Sequence, residues 1–250
     1  MNVKEKIRYM KKDAVGILAF LLLLVFTACG SNQKAGTSLP DGNKEEEQKL
    51  SLGENKEYQD YLEDKYKSVL LGDADFICAD LKNQSLNIKN IRQVITEDDS
   101  VTIDAIKFAV IDLDGDGKNE VVLWLRANGS SDVGFEVLYS RDETIYGITQ
   151  YYRAFLNLKT DGTFTFSGGS ADYGIGRLTF SDTGYDIDTP AYSQSMYNAD
   201  NELTVQYFIN GASCSEDEFY STMDKQDQKE DVTWHDFSVD TINTAFDALP

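Results

Sequence analysis

Between residues 112 and 120 the chain reads Asp-Leu-Asp-Gly-Asp-Gly-Lys-Asn-Glu. Carboxylates at Asp112, Asp114 and Asp116 stand at alternate positions, Gly117 follows the third, and Glu120 lies just beyond. Such a stretch closes into a loop around a hard cation, and oxygen ligands in this number suit calcium better than a transition metal. Counting from Asp112, side chains come from the first, third and fifth positions. Gly117 at the sixth allows the sharp bend, and the backbone carbonyl of Lys118 can contribute from the seventh. A helical EF-hand would close with a bidentate acid at the twelfth position, but Leu123 stands there, so Glu120 is the available bidentate ligand. The plainer reading is an acidic Asp-Gly turn. That reading suits Asp161-Gly162, which has no carboxylate array beside it, and suits 112–120 poorly, because four acids crowded into one turn repel without a cation.

Other chemistry is sparse. His235 is the single histidine, set in Thr233-Trp234-His235-Asp236-Phe237, and no G-x-S-x-G elbow exists to pair with it. Cys78 or Cys214 would have to serve as its nucleophile, and neither has supporting local sequence. Zinc hydrolase sites need several His or Cys ligands, which the chain lacks. A carboxylate pair for glycoside hydrolysis is uninformative in a chain with 43 acids, since some pair is inevitable. Gly168-Gly169-Ser170 and Gly174-Ile175-Gly176 sit among strand-like runs, so turns or bulges account for them better than phosphate loops. Tyr146, Tyr151, Tyr152, Tyr173, Tyr185 and Tyr192 are candidates for a sugar or peptide platform, although most such tyrosines are rim or core residues. No catalytic residue is assigned.

The acidic loop resembles the calcium loops of integrin-type FG-GAP repeats, where the ion sits between two strands. The resemblance covers about Phe108 to Leu125 and implies ligation by Asp112, Asp114, Asp116, Lys118 through its backbone, and Glu120. It does not imply a β-propeller, because a propeller repeats the motif from blade to blade and this chain has it once.

Strands must hold that loop. Ile106, Phe108 and Val110 alternate with Lys107 and Ala109 before it, and Val121 to Leu125 runs apolar after it. Further strands are expected at 134–139, 145–152, 155–158, 164–166, 174–180, 185–189 and 204–209, with turns at Asp161-Gly162, Asp182-Thr183-Gly184 and Asn210-Gly211. Upstream, Ser51-Leu52-Gly53-Glu54 forms a capping box. Behind it Tyr58, Tyr61, Leu62, Tyr66, Val69 and Leu70 share a helical face that Gly72 ends. Residues 73–101 read ambiguously. Phe76, Ile77 and Leu81 fit a short helix, and 86–95 fits helix or strand. A second capping box, Ser215-Glu216-Asp217-Glu218, starts another helix; a strand-like 232–237 and a last helix through Val239, Ile242, Ala245, Phe246 and Leu249 follow. The expected class is α+β: a central antiparallel β-meander with an N-terminal helix and C-terminal helices.

The N-terminus reads as an export signal. Lys4, Lys6, Arg8, Lys11 and Lys12 precede an apolar run from Ala14 to Phe26, long enough for a signal core and short of the ~20 residues that span a bilayer. Phe26-Thr27-Ala28-Cys29 then resembles a bacterial lipobox, which implies diacylation of Cys29 and a membrane anchor on the outer, extracytoplasmic face. Residues 31–51 have almost nothing to bury and read as a disordered tether. The expected organisation is therefore a signal peptide at 1–28, lipidated cysteine and tether at 29–51, and one domain at 52–250.

The leader carries five of the 23 basic and two of the 43 acidic residues, leaving 18 and 41 and a net charge of −23. Nucleic acid is excluded as a partner by that charge. With Cys29 lipidated, Cys78 and Cys214 remain, and free thiols are favoured over a disulfide. The whole reads as a lipid-anchored calcium-binding protein without enzymatic activity, engaging an extracellular glycan, peptide or envelope protein. The alternative is an envelope glycan or peptidoglycan hydrolase using acidic residues.

Overall fold

The first helix, α1 (Gly42–Leu70), reaches back beyond Ser51, so that capping box does not begin it. Lys44, Glu45, Glu46, Glu47, Gln48, Lys49 and Leu50 are all good helix formers, and their summed propensity carries the helix into part of the expected tether. The structure is a computed structural model; it describes the backbone of residues 42–198 and 200–246, and side chains from residue 56 onward. The leader, Cys29, the rest of the tether and Leu249 lie outside the described residues.

On the inner face of α1, Leu62, Tyr66, Val69 and Leu70 are each at most 2% exposed, whereas Tyr61 stands 41% exposed. Burying each of the apolar side chains stabilises the fold by about 1.5–3 kcal/mol. Gly72, at φ +74°, terminates the run as expected, with its N–H on the Val69 carbonyl.

The ambiguous segment that follows is neither one helix nor one strand. It forms β1 (Asp75–Cys78), a 3-10 turn at Ala79–Leu81, β2 (Gln84–Asn87) and a longer 3-10 run at Ile88–Val94. A meander comes next: β3 (Ile103–Ile111), β4 (Glu120–Ala127), β5 (Ser131–Arg141) and β6 (Thr144–Tyr151). A second meander contains β7 (Thr163–Ser167), β8 (Tyr173–Ser181), β9 (Gly184–Tyr197), β10 (Leu203–Ile209) and β11 (Ala212–Cys214). Helix α2 (Glu216–Asp227), the two-residue β12 (His235–Asp236) and α3 (Val239–Ala245) complete the described chain. Phe155–Leu158 is not a strand; only an isolated bridge joins Leu156 to Thr165 around the Asp161-Gly162 turn.

The fold is α+β, built on two sheets. One has seven strands in the order β12-β3-β4-β5-β6-β1-β2, antiparallel except where β1 pairs with β6, and the other has five in the order β11-β10-β9-β8-β7. The apolar run in β4 follows from its central place. Val121, Leu123 and Leu125 join the core made with α1 and α3, while Val122 and Trp124 face the core shared with Phe164 and Leu178 of the second sheet. A strand buried on both faces needs apolar residues at every position. In β3 a bulge at Ile106 breaks the strict alternation, so the register shifts between Ala105 and Lys107. Both remaining cysteines are free thiols.

Candidate metal centre

Eight residues, Asp112 to Asn119, link β3 to β4, and Leu113 anchors them by inserting fully buried into the core between the sheets. Around that anchor the backbone folds onto the aspartates. Asp112 Oδ1 accepts from the N–H groups of Gly115 at 2.7 Å and Asp116 at 3.1 Å, and its Oδ2 accepts from Gly117 N–H at 3.0 Å. Gly115 and Gly117 take φ of +82° and +85°, a bend that a β-carbon would strain, so these two glycines set the loop's shape. Asp112, Asp114 and Asp116 each turn an oxygen toward a common region, all within 4.8 Å of one another.

Distant elements fix the loop in place. Gln59 of α1 donates to the Gly117 carbonyl at 2.7 Å. From the second sheet, Phe180 N–H donates to Asp114 Oδ2 at 3.1 Å. Gly162 packs so closely on the loop that a β-carbon there would meet the Leu113 carbonyl oxygen at 2.0 Å. The acidic loop therefore sits where α1, β4 and the second sheet meet.

Of the four predicted carboxylate ligands, three are gathered. Glu120 is 4% exposed, its Oε2 accepts from Leu113 N–H at 2.9 Å, and it stands outside the aspartate cluster. Burial pushes its carboxyl well above the usual range; the Leu113 bond opposes that, and the charges of Asp114, Asp116 and Asp112 add to it. Glu120 thus acts as the loop's brace. Lys118 meets the cluster through its ammonium, 2.6 Å from Asp116 Oδ2. That pair is more than a third exposed, so it is worth at most about 1 kcal/mol and yields readily to a divalent ion. Three clustered carboxylates with one adjacent lysine leave the loop under-neutralised, and hard oxygen donors fit calcium.

Beside the loop lies a cavity of about 420 Å³ whose walls include Tyr58, Asp116, Lys118, Ser140, Arg141 and Phe180. Local sequence gave no sign of Gln59, Phe180, Gly162 or Arg141 as neighbours of the loop, because each arrives from an element remote in the chain.

The six candidate tyrosines do not form one platform. Tyr173 packs edge-on against Phe219, Tyr192 stacks on Phe208, and Tyr152 stacks on Phe135. Only Tyr146 and Tyr185 converge, in a cleft with Tyr139. His235 lies on edge strand β12 with its ring 5.3 Å from Phe108, and Cys78 is five strands away, about 24 Å at the usual spacing. Cys214 belongs to the other sheet. No Cys–His pair assembles among the described residues.

Two carboxyls do meet around Thr149, whose N–H donates to Asp80 Oδ2 and whose hydroxyl donates to Glu136 Oε2, each at 2.8 Å. Glu136 is 0% exposed, which keeps it from any substrate in this conformation. Comparison with protein-family models, curated proteins and solved structures returns no match.

Proposed function

We propose that this chain is a lipid-anchored binding module on the outer face of a cell membrane, with a calcium ion in the 112–120 loop as a structural clamp. The observation that carries the reading is the convergence of Asp112, Asp114 and Asp116 within 4.8 Å on a loop already tied to α1 and to the second sheet. An ion there would neutralise the cluster and hold three elements together. The first lysine after the loop's bend is consumed by Asp116, which leaves no second cation to do this work among the contacts of the cluster. Lipidation at Cys29 rests on the lipobox resemblance alone. The hydrolase reading draws less support, because the carboxyl pair around Thr149 is closed to solvent at Glu136.

Calcium titration of the full-length protein, followed by its melting temperature, tests the clamp. A site with a dissociation constant of about 10–100 μM adds roughly 1.4–2.7 kcal/mol at ~1 mM calcium. That corresponds to a rise of about 3–10 °C for a domain of this size. The rise should vanish in Asp112→Ala and Asp116→Ala. A parent protein whose melting temperature ignores calcium would remove the clamp from this reading.

A further inference from the structure

The β9–β10 hairpin reaches past the helix that covers its base. Opposed residues of an antiparallel pair share a face, so Ala191 with Ile209, Ser193 with Tyr207, Ser195 with Val205 and Tyr197 with Leu203 line one side. Over the first two pairs that side is closed, because Ala191, Tyr207 and Ile209 pack with Phe219 of α2. Beyond them it is open, with Val205 37%, Leu203 62% and Tyr197 69% exposed. Tyr220 of α2 is exposed as well, and its ring, 6.1 Å from that of Tyr207, extends the apolar strip. A contiguous strip, unlike a single exposed side chain, marks a contact surface.

The strand edge beside the strip is open too. Asn198 N–H donates to the Glu202 carbonyl at 2.9 Å and Asn210 N–H to the Pro190 carbonyl at 2.7 Å, which fixes the phase of the ladder. Thr204, Gln206 and Phe208 therefore bond to β9, while Leu203, Val205, Tyr207 and Ile209 turn their N–H and C=O groups outward. Strand β11 takes up only Tyr207 to Ile209 before the chain turns into α2. The outward groups of Leu203 and Val205 are left without a strand partner among the described residues. Natural sheets guard such an edge with lysine, proline or a bulge, and Leu203-Thr204-Val205-Gln206 has none of these.

Charge selects the occupant. From Leu178 to Asp224 the chain holds nine acidic residues and no lysine, arginine or histidine. Asp200 and Glu202 stand at the turn end of the free edge, and Glu216, which accepts from the Tyr207 hydroxyl at 3.0 Å, stands at the other. A second copy pairing by two-fold symmetry would set its turn acids against Glu216, and an anionic lipid surface would be repelled alike. We propose that the free edge of β10 takes up an extended, cationic segment of another polypeptide. The segment adds as a strand along Leu203–Gln206, in line with β11. Its apolar side chains lie on Val205, Leu203 and Tyr197, and its lysines or arginines meet Asp200, Glu202 and Glu216.

This inference rests on the binding-module reading and makes the partner a polypeptide. Isothermal titration of the full-length protein, in uncharged detergent micelles, with an acetylated octapeptide of alternating valine and lysine tests it, alongside hydrogen exchange of the β10 amides. Micelles alone supply the baseline. With four outward backbone groups to satisfy, the expected dissociation constant is about 10 μM to 1 mM. Saturating peptide should slow exchange at Leu203 and Val205 about tenfold or more. The same octapeptide with glutamate for lysine should not bind. Val205→Pro removes an outward N–H that no strand of the fold uses, so the β9 ladder survives and affinity should fall about tenfold or more. Leu203→Lys, at an exposed position, should weaken binding similarly by placing a like charge on the edge. Absence of binding, equal binding of the glutamate peptide, or unchanged exchange at Leu203 and Val205 would overturn the proposal. So would a concentration-dependent dimer in sedimentation that Val205→Pro abolishes, since a second copy would then be the occupant. The calcium-induced melting shift is read separately on the same samples. A calcium shift without peptide binding sinks only the strand-addition proposal, and peptide binding without the shift sinks only the clamp.

Discussion

Glu136 shows how a single residue can set a pH response. It is fully buried in β5, its Oε1 has no hydrogen-bond partner, and that oxygen lies where a β-carbon on Gly147 would come within 2.4 Å. Desolvation raises its carboxyl to about 8; the Thr149 hydroxyl opposes the shift and the charge of Asp80 adds to it. The folded protein therefore keeps a proton that the unfolded chain loses above its ordinary value near 4.5. Stability from this residue is complete below that value and is lost as pH climbs from there through about 8. In Glu136→Gln this loss should disappear. Urea unfolding midpoints at acid, neutral and mildly alkaline pH should show the variant gaining on the parent as pH rises. Curves that stay parallel throughout would show that Glu136 does not hold its proton.

At the scale of elements, the same four-residue motif behaves in two ways. Ser215 and Glu218 form a complete capping box: Glu218 Oε2 accepts from Ser215 N–H at 2.9 Å, and Ser215 Oγ accepts from Glu218 N–H at 3.3 Å. The chain before it is strand β11, so helix cannot extend backward and the cap marks a true start. At Ser51 the preceding residues are helix formers, and the helix passes through. A cap is worth about 1 kcal/mol, less than the summed preference of a helical stretch. Ser215→Ala should therefore cost about 1 kcal/mol and lower the melting temperature by about 2–4 °C. Ser51→Ala, inside α1, should leave it unchanged or slightly higher. Equal losses in both variants would show that the two serines play the same part.

For the molecule as a whole, the question is how it is held in place. No helix among the described residues is long and apolar enough to cross a membrane. The proposed attachment depends on Cys29, since two or three acyl chains at about 0.8 kcal/mol per buried methylene hold a protein on a bilayer where one is marginal. Cys29→Ala should abolish incorporation of labelled palmitate and move the protein from the membrane pellet to the soluble or precursor fraction. Retention of label in the variant would end the lipid-anchor proposal. The net charge of −23 that remains without the leader disfavours docking on anionic headgroups through the folded part.

Sequence alone determined whatever depends on spacing along the chain. The β3 strand itself, the apolar run of β4, the turns at Asp161-Gly162 and Asn210-Gly211, the Ser215 cap and the clustering of the three loop aspartates were all legible, because period, turn chemistry and side-chain spacing are local properties. Tertiary structure decided what depends on which elements meet. It placed Glu120 on Leu113 N–H outside the cluster, tied Asp114 to Phe180, brought Gly162 against Leu113, and drew Tyr139, Tyr146 and Tyr185 into one cleft while scattering the other tyrosines. It also split the chain into two sheets with a core on each face of the larger one. The physical reason is that hydrophobic burial has no direction: it fixes which faces are hidden, and only the packed chain reveals against what.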